Sequence, residues 1–432
     1  MSEGGESMGL DTPQRLAVDA LLDDPKTRII VCCGAGGVGK TTTAAALGVR
    51  AAERGRKVVV LTIDPARRLA QSMGIDSLDN TPRRVPGIEG STRGDGELHA
   101  MMLDMKRTFD EIVESHAEGE RAQAILANPF YQSLSAGFAG TQEYMAMEKL
   151  GQLRAKDDWD LIVVDTPPSR SALDFLDAPK RLGSFLDGKF IRVLMAPAKV
   201  GGRAGMKFLN VGMSMMTGTL SKLMGASLLK DVQTFVAAMD TMFGGFRTRA
   251  DATFRLLQAP GTAFLVVAAP EPDALREAAY FVERLAAERM PLAGLVLNRV
   301  HGSDAEQLSA ERALAAAENL EEGGIVDQES GKAGLGDAAD DGSPGADDAD
   351  RIDTDQVDMD RIDVDRITAG LLRLHAERMQ VIAREQRTRD RFTSLHPEVA
   401  VAEVAALPGD VHDLAGLRAI GERLAAGVPA GA

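Results

Sequence analysis

The sequence is short of cysteine. It has two in 432 residues, Cys32 and Cys33, and they are adjacent. Neighbouring residues of a strand point to opposite faces of a sheet, so this pair is poorly placed to bind one zinc ion together. We expect both side chains to pack in the core, as free cysteines usually do.

An excess of positive charge and long apolar runs are also missing. The formal net charge is -15, which argues against nucleic acid as the main partner, because neutralising phosphates requires a basic face. No run of about 18 apolar residues predicts a membrane span, and the polar, Gly-rich N-terminus lacks the pattern of a signal peptide. We therefore expect a cytoplasmic protein, with peripheral contact at a membrane left open.

The composition is otherwise that of a globular protein with a sizeable core. Hydrophobic residues make up 44% of the chain and charged residues 26%, and the length suits one large domain or two. Apolar runs suited to parallel strands covered on both faces recur along it. They lie at 28–33, 57–63, 97–103, 159–165, 262–268, 292–298 and 399–405. Helix-forming stretches separate them, so the pattern predicts a doubly wound, mostly parallel α/β sheet.

A phosphate-binding loop follows the first predicted strand. Residues 34–41 fit the pattern G-x-x-x-x-G-K-[ST], and a helix-forming stretch, 42–53, comes after them. The glycines let the backbone turn its N–H groups towards a polyphosphate, and the helix N-terminus adds positive partial charge. We predict ATP and Mg²⁺ as ligands, with Lys40 exposed to the outer phosphates and Thr41 beside the metal ion. The residues predicted to contact the nucleotide here are Gly36, Gly37, Val38, Gly39, Lys40, Thr41 and Thr42.

Two aspartates stand at the ends of later strands. Asp64 follows the second predicted strand, and Asp165 closes the fourth. Ligands of open α/β sheets bind at this carboxyl edge, and a carboxylate that ends an apolar run suits the water shell of Mg²⁺. Thr41, Asp64 and Asp165 therefore form the predicted magnesium site, partly through water.

Two segments interrupt the alternation of strands and helices. Residues 166–260 lack strand signals and are rich in methionine and glycine, which predicts an inserted helical subdomain whose methionines suit either core packing or a mobile surface. Residues 319–365 are acidic and poor in aromatic side chains, which predicts a disordered insertion between two helices. The predicted division is a tail and short helix (1–27), a nucleotide-binding core in three parts (28–165, 261–318, 366–432), and these two insertions.

These motifs together resemble the ArsA-like P-loop ATPases, the group of arsenite-pump and tail-anchored-protein targeting ATPases. The Gly36-Gly37 doublet is similar to the deviant Walker A loop of that class. Residues 140–150 resemble the helix before its Walker B strand, and 269–284 resemble its P-E-x-x-x-x-E-x-x-R segment. The resemblance covers nearly the whole chain except the tail and the acidic insertion, and it implies a P-loop NTPase fold and ATP hydrolysis.

The resemblance also implies roles for individual residues. Asp64, in a D-P-A motif, positions or deprotonates the attacking water, and with Lys40 it forms the predicted catalytic pair. Asn298 lies where the group reads the adenine edge. Pro408 lies in the loop that closes over the base.

One position departs from the group. Ala35 stands where a signature lysine reaches across the dimer, and losing such a charge costs about 10³ to 10⁵ in rate for analogous arginine fingers. We therefore predict a nucleotide-gated dimer, either with a related subunit that carries the lysine or with a second copy. Arg67 and Arg68 are candidate substitutes for the missing charge.

Three functions stay open on this basis. The first is an active ATPase that handles a hydrophobic or membrane-linked client, and the second is a weakly hydrolysing structural or regulatory subunit of a heterodimer. The third is an arsenite efflux ATPase subunit, although arsenite ATPases bind the metalloid through scattered thiols and this chain has only two adjacent cysteines.

Overall fold

A central eight-stranded sheet organises the chain in the computed structural model, with strand order β3-β4-β2-β5-β1-β6-β7-β8. The strands are β1 (Ile29–Cys33), β2 (Lys57–Thr62), β3 (Arg83–Arg84), β4 (Glu97–Met102), β5 (Leu161–Asp165), β6 (Thr262–Ala268), β7 (Leu292–Val300) and β8 (Val401–Ala405). All neighbours pair in parallel except β3, a two-residue edge strand antiparallel to β4. The predicted doubly wound, mostly parallel α/β fold is confirmed. The structure describes residues 14–63, 67–88, 95–117, 119–128, 131–132, 141–167, 248–330 and 349–426.

Helices cover both faces of this sheet, which is why its central strands are apolar on both sides. The helices are α1 (Val18–Asp23), α2 (Lys40–Glu53), α3 (Arg67–Ser72), α4 (Met105–His116), α5 (Gly119–Leu126), α6 (Thr141–Lys156), α7 (Pro272–Ala287), α8 (Ala310–Ser330), α9 (Ala349–Leu395) and α10 (Leu414–Ala426). One core cluster packs α1, α2, α3 and α10 on one face, and the other packs α4, α6 and α7 on the opposite face. Every residue of β1 and β6 is buried as a result.

The carboxyl ends of the parallel strands lie at one edge of the sheet, and the strand order changes direction at β1. β1 pairs with β5 on one side and with β6 on the other. From β1 the chain builds β2 to β4 on one side of the sheet, and later β6 to β8 on the other. Ligands of open α/β sheets bind at such a point, so this topology places the loop after β1 at the expected position.

The acidic segment differs from its prediction at both flanks. Residues 319–330 belong to helix α8, and 349–365 belong to helix α9. Composition predicts disorder here, whereas the structure gives both flanks helical backbone; extending an existing helix is far less costly than starting one, and composition alone does not register that cooperativity. The middle of the segment, 331–348, lies outside the described residues.

Most of the predicted Met-rich subdomain lies outside the described residues too. The eight methionines of this segment all lie outside the described residues: Met195, Met206, Met213, Met215, Met216, Met224, Met239 and Met242. Residues 248–258, at its C-terminal end, are helical. Across the parts of the chain that the structure describes, no helix combines the length and the apolar character needed to span a membrane.

Candidate functional site

The loop between β1 and α2 contains two glycines whose conformation excludes other residues. Gly39 precedes the first residue of α2 and has a φ of +94°, and a Cβ there would collide with the side-chain amide of Asn298. Gly34 has a φ of +148°, and its Cβ would collide with the carbonyl oxygen of Val267 in strand β6. Glycine is therefore required at both ends of the loop, where the backbone passes close to the neighbouring strands.

Lys40 is buried in the loop and is not open to solvent. Its side chain is only 5% exposed, and Nζ donates a hydrogen bond to the carbonyl oxygen of Ala35 at 2.7 Å. The sequence predicts a lysine directed at the outer phosphates, and in this structure its ammonium group instead donates to the loop's own carbonyl. The lysine is nevertheless held inside the loop that the sequence motif identifies.

Thr41 and Asp165 are brought together from positions 124 residues apart. Thr41 Oγ1, in the first turn of α2, donates to Asp165 Oδ2 at 2.7 Å, and Thr62 Oγ1, at the end of β2, donates to the same oxygen at 3.0 Å. Asp165 is fully buried at the end of β5. A hydroxyl and a carboxylate oxygen in contact are the hard donors that Mg²⁺ accepts, so the residues present fit that ion.

Ile63, the residue between β2 and Asp64, has both its backbone N–H and its backbone carbonyl hydrogen-bonded. The N–H of Ile63 donates to the carbonyl oxygen of Asp165 at 3.1 Å, and the carbonyl oxygen of Ile63 accepts from Gln142 Nε2 at 2.9 Å. Asp64 itself lies outside the described residues, as do Pro65 and Ala66. Sequence reasoning missed Gln142 as a site residue, although its Gly-Thr-Gln-Glu motif at the start of helix α6 was a visible signal.

Asn298 contacts the loop itself. Its Nδ2 donates to the carbonyl oxygen of Val38 at 2.8 Å, and the residue is 8% exposed. This contact gives Asn298 a structural part in holding the loop, whereas the sequence pointed to recognition of the adenine edge. Pro408 lies in an exposed loop between β8 and α10, three strands away from β1.

The position of the missing lysine is largely enclosed. Ala35 is 8% exposed and packs in the same core cluster as helix α2. The two glycines that follow it in the loop, Gly36 and Gly37, are exposed. The side chains of the candidate substitutes, Arg67 and Arg68, lie outside the described part of the chain, although their backbone begins helix α3.

The two cysteines pack on opposite faces of β1, as predicted. Cys32 belongs to the core cluster beside α2, and Cys33 belongs to the cluster on the other face. Burial raises the pKa of the Cys32 thiol well above its ordinary value, with Asp165 adding to the effect. Burial likewise raises the pKa of Cys33 to about 12. Both therefore favour the thiol form at neutral pH, which makes them poor nucleophiles.

A model of one protein family matches residues 27–322, and its description is anion-transporting ATPase. That match contains the loop, Asp64, Asp165 and Asn298, and it ends within helix α8. It includes more than half of the chain, so it identifies the family.

Individual relatives agree with the family match. The ATPase GET3 of Podospora anserina is 26% identical over 311 residues, which cover 70% of this chain and 83% of that protein. The ATPase GET3 of Malassezia globosa is 30% identical over 173 residues, covering 40% of this chain and 49% of the relative. A putative arsenical pump-driving ATPase of Halobacterium salinarum is 29% identical over 195 residues, covering 42% of this chain and 28% of the relative.

Proposed function

Because the chain belongs to the anion-transporting ATPase family and is an ATP hydrolase, we propose that its reaction takes place at the carboxyl edge of strand β1. The observation that supports this site best is the 2.7 Å contact between Thr41 Oγ1 and Asp165 Oδ2. It joins the start of the loop helix to the end of a different strand, which is the pair of groups that a magnesium-dependent nucleotide site requires.

The loop and the start of α2 bind the phosphates in this proposal. The backbone N–H groups of residues 36–42 and the positive end of α2 attract the polyphosphate. Lys40 exchanges the carbonyl of Ala35 for a phosphate oxygen, so no large movement of its side chain is needed. Magnesium, when bound, would be held by Thr41 and, through water, by Asp165 and Asp64, and it neutralises charge on the β- and γ-phosphates.

Asp64 orients the attacking water and accepts its proton. It follows Ile63, whose N–H and carbonyl groups are both hydrogen-bonded, so the chain enters the Asp64 position from a fixed point. Phosphoryl transfer needs positioning more than covalent chemistry, and one well-placed carboxylate supplies it.

The loop assignment is tested with Lys40→Met, which removes the charge and keeps most of the buried side-chain volume. We expect loss of ATP binding or of phosphate release, with the circular dichroism spectrum and melting temperature close to those of the wild type. If the variant binds and hydrolyses ATP normally, the loop is not the nucleotide site.

The role of Asp64 is tested with Asp64→Asn. This variant should bind MgATP with nearly unchanged affinity and lose most of its turnover, because only the hydrolytic step uses the negative acceptor. Simultaneous loss of binding and turnover would instead give Asp64 a structural or metal-binding role.

We further propose that the chain works as a nucleotide-gated dimer with a related subunit that carries lysine at the position of Ala35. Such a lysine would stabilise charge at this chain's own site, which keeps Lys40, Thr41, Asp64 and Asp165. Mixing the two subunits should raise turnover above the sum of their separate rates. Rapid turnover by the isolated chain, unchanged in Ala35→Lys, would remove the need for that partner and direct attention to Arg67 and Arg68.

Ala35 also favours a second candidate, a subunit that binds ATP and hydrolyses it weakly. The two candidates differ in the mixed assembly, because a structural subunit adds little phosphate release even beside a lysine-bearing partner. The substitution Asp64→Asn, made in this chain while the partner stays unchanged, then decides between them. A large loss of turnover in the mixed assembly supports catalysis at this chain's site.

The handled client is proposed to be hydrophobic or membrane-linked. Support comes from the resemblance of the motifs to the tail-anchored-protein targeting ATPases and from the similarity to the ATPase GET3 of Podospora anserina over 70% of this chain. The name of the Halobacterium relative favours an arsenite-efflux role. Arsenite ATPases bind the metalloid through thiols, however, and this chain's two cysteines are both buried. ATPase assays with detergent-solubilised hydrophobic peptides and with arsenite test the two directly, and stimulation by arsenite would reverse the preference.

A further inference from the structure

Helix α9 exposes a stripe of large apolar side chains, which we name the α9 stripe: Val364, Ile367, Leu371 and Leu374. Their exposed fractions are 59%, 64%, 61% and 63%. They follow one another at spacings of three, four and three residues, the spacing of alternating a and d positions in a coiled coil. Single exposed apolar residues are common, but four in one helical row mark an interaction surface.

The opposite side of α9 carries the contacts within the chain. Ala369 and Ala376 are buried at 1% and 0% exposure, and they lie on the face of α9 opposite the stripe. Helix α8 packs against α9 and contributes Ala313 and Ala317, both fully buried. The α9 stripe therefore faces away from the chain's own packing, and it lies beyond residue 322, where the family match ends.

Charge is distributed along α9 in two opposite halves. Residues 349–365 contain seven aspartates and two arginines, whereas 373–389 contain five arginines and two glutamates. The α9 stripe occupies the middle, between the acidic and the basic half. An antiparallel second copy of the same helix would set the acidic half of each beside the basic half of the other.

The apolar residues of the α9 stripe fit the same antiparallel arrangement as the charges. A two-fold axis that crosses α9 at the level of residue 369 exchanges position 364 with 374 and position 367 with 371. Each pair joins an a position of one helix to a d position of the other, which is the pairing that antiparallel coiled coils use. An interface around a two-fold axis has to complement itself, and this segment does so in both apolar spacing and charge.

We propose that the α9 stripe binds a second copy of this chain, through antiparallel pairing of the two α9 helices. This contact is separate from the nucleotide-gated pairing proposed above, because it uses neither the loop nor the carboxyl edge of β1. It should form without ATP, and it should persist in Lys40→Met.

Sedimentation velocity of the full-length chain without nucleotide tests the contact. We expect a concentration-dependent dimer that weakens as salt rises, because the proposed pairing sets opposite charges beside each other and salt screens their attraction. Leu371→Asp should raise the dimer dissociation constant at least about tenfold, as loss of a central apolar contact usually does. Leu395→Asp is the matched control: Leu395 is 67% exposed at the end of the same helix, outside the stripe, and its replacement should leave the constant unchanged.

Single cysteines test the orientation. In the antiparallel pair, residue 364 of one helix lies about 15 Å along the axis from residue 364 of the other, beyond the reach of a disulfide. Val364→Cys and Leu374→Cys should therefore cross-link rapidly when the two variants are mixed under oxidising conditions, and slowly when each is alone. The native cysteines are both buried and contribute little background.

Three outcomes would overturn the proposal. A wild-type chain that stays monomeric without nucleotide at concentrations up to several hundred micromolar has no such contact. Equal weakening by Leu371→Asp and Leu395→Asp would show that the dimer forms elsewhere. Cross-linking of Val364→Cys alone would show parallel pairing. Because every measurement omits ATP, failure here leaves the nucleotide-gated pairing untouched, and failure of that pairing leaves this one untouched.

Discussion

Gln142 holds Ile63: its side-chain amide donates to the carbonyl oxygen of Ile63 at 2.9 Å. Gln142 lies in the first turn of helix α6, and Ile63 is the residue before Asp64. The N–H of Ile63 is bound at the same time to the carbonyl oxygen of Asp165. Helix α6 is therefore tied to the point where the chain turns from β2 into the proposed catalytic loop.

Replacing Gln142 should slow hydrolysis without weakening ATP binding. Gln142→Leu keeps the side-chain size and removes the donor, which frees the carbonyl of Ile63 and lets Asp64 shift. A displacement of about 1 Å can cost up to about a hundredfold in rate, so we expect a fall in kcat of about tenfold with a nearly constant KM. Gln152→Leu, on the same helix, is the control. An unchanged kcat in Gln142→Leu, or equal losses in both variants, would contradict the positioning role.

Adding one methyl group at Gly39 should disable the loop. Gly39→Ala both strains a backbone with φ +94° and drives a Cβ into the Asn298 amide. Left-handed backbone alone costs about 1–2 kcal/mol in a residue with a side chain. We expect a lower melting temperature and at least about tenfold weaker ATP binding, measured by calorimetry.

Gly37→Ala separates the two effects. Gly37 has a φ of +75°, but a Cβ there meets nothing within 4 Å. It should show the backbone cost alone and lose less affinity than Gly39→Ala. Similar losses in the two variants would mean that contact with Asn298 has no part in shaping the loop.

A partly buried ion pair should stabilise the junction between α6 and residues 248–258. Arg249 Nε lies 2.8 Å from Glu148 Oε1, and the Glu148 side chain is 4% exposed. Tyr144 also donates its hydroxyl to this carboxylate at 3.2 Å, and burial raises the pKa of Tyr144 well above its usual value. Arg249→Met leaves Glu148 buried without this cation, so we expect a loss of about 2–4 kcal/mol in the free energy of unfolding.

Chemical denaturation measures that loss. Glu148→Gln combined with Arg249→Met removes both charges and should recover part of it. The exposed pair of Arg276 and Asp273, with side chains 75% and 88% exposed, supplies the control, since Arg276→Met should cost under about 1 kcal/mol. Equal costs for Arg249→Met and Arg276→Met would show that burial does not strengthen the first pair.

His99 should make the protein less stable in mild acid. Partial burial lowers the pKa of His99 below its ordinary value, although Glu97 acts in the opposite direction and Lys57 and Arg84 act in the same one. Its ring meets the edge of Trp159, with centroids 4.8 Å apart. Because the folded-state pKa is depressed, the stabilisation is complete above about pH 6.5 and is lost as the pH falls through the folded pKa.

Melting temperatures measured between pH 8 and pH 5 test whether His99 lowers the stability of the protein as the pH falls. His99→Phe keeps a ring at the site and does not titrate, so its melting temperature should fall less than that of the wild type on acidification. Parallel pH profiles for the two proteins would exclude His99 as a source of the acid sensitivity.

The sequence by itself determined the features that depend on neighbouring residues. Apolar runs predicted all the parallel strands, because strands buried on both faces need continuous apolar sequence. The glycines, Lys40 and Thr41 predicted the loop, because its conformation and chemistry are local. Neighbouring Cys32 and Cys33 predicted opposite faces of a strand, because side chains alternate along it.

Only the tertiary structure decided which distant groups meet. Asn298 and Val38 are 260 residues apart in the sequence, and their hydrogen bond exists because β7 and β1 end at the same edge of one sheet. The burial of Lys40 and the contact from Gln142 to Ile63 likewise depend on how the elements pack around the end of β1. The sequence did not reveal the α9 stripe for the same reason. The spacing of apolar residues predicts one apolar face of a helix, but packing decides whether that face meets the core or the solvent.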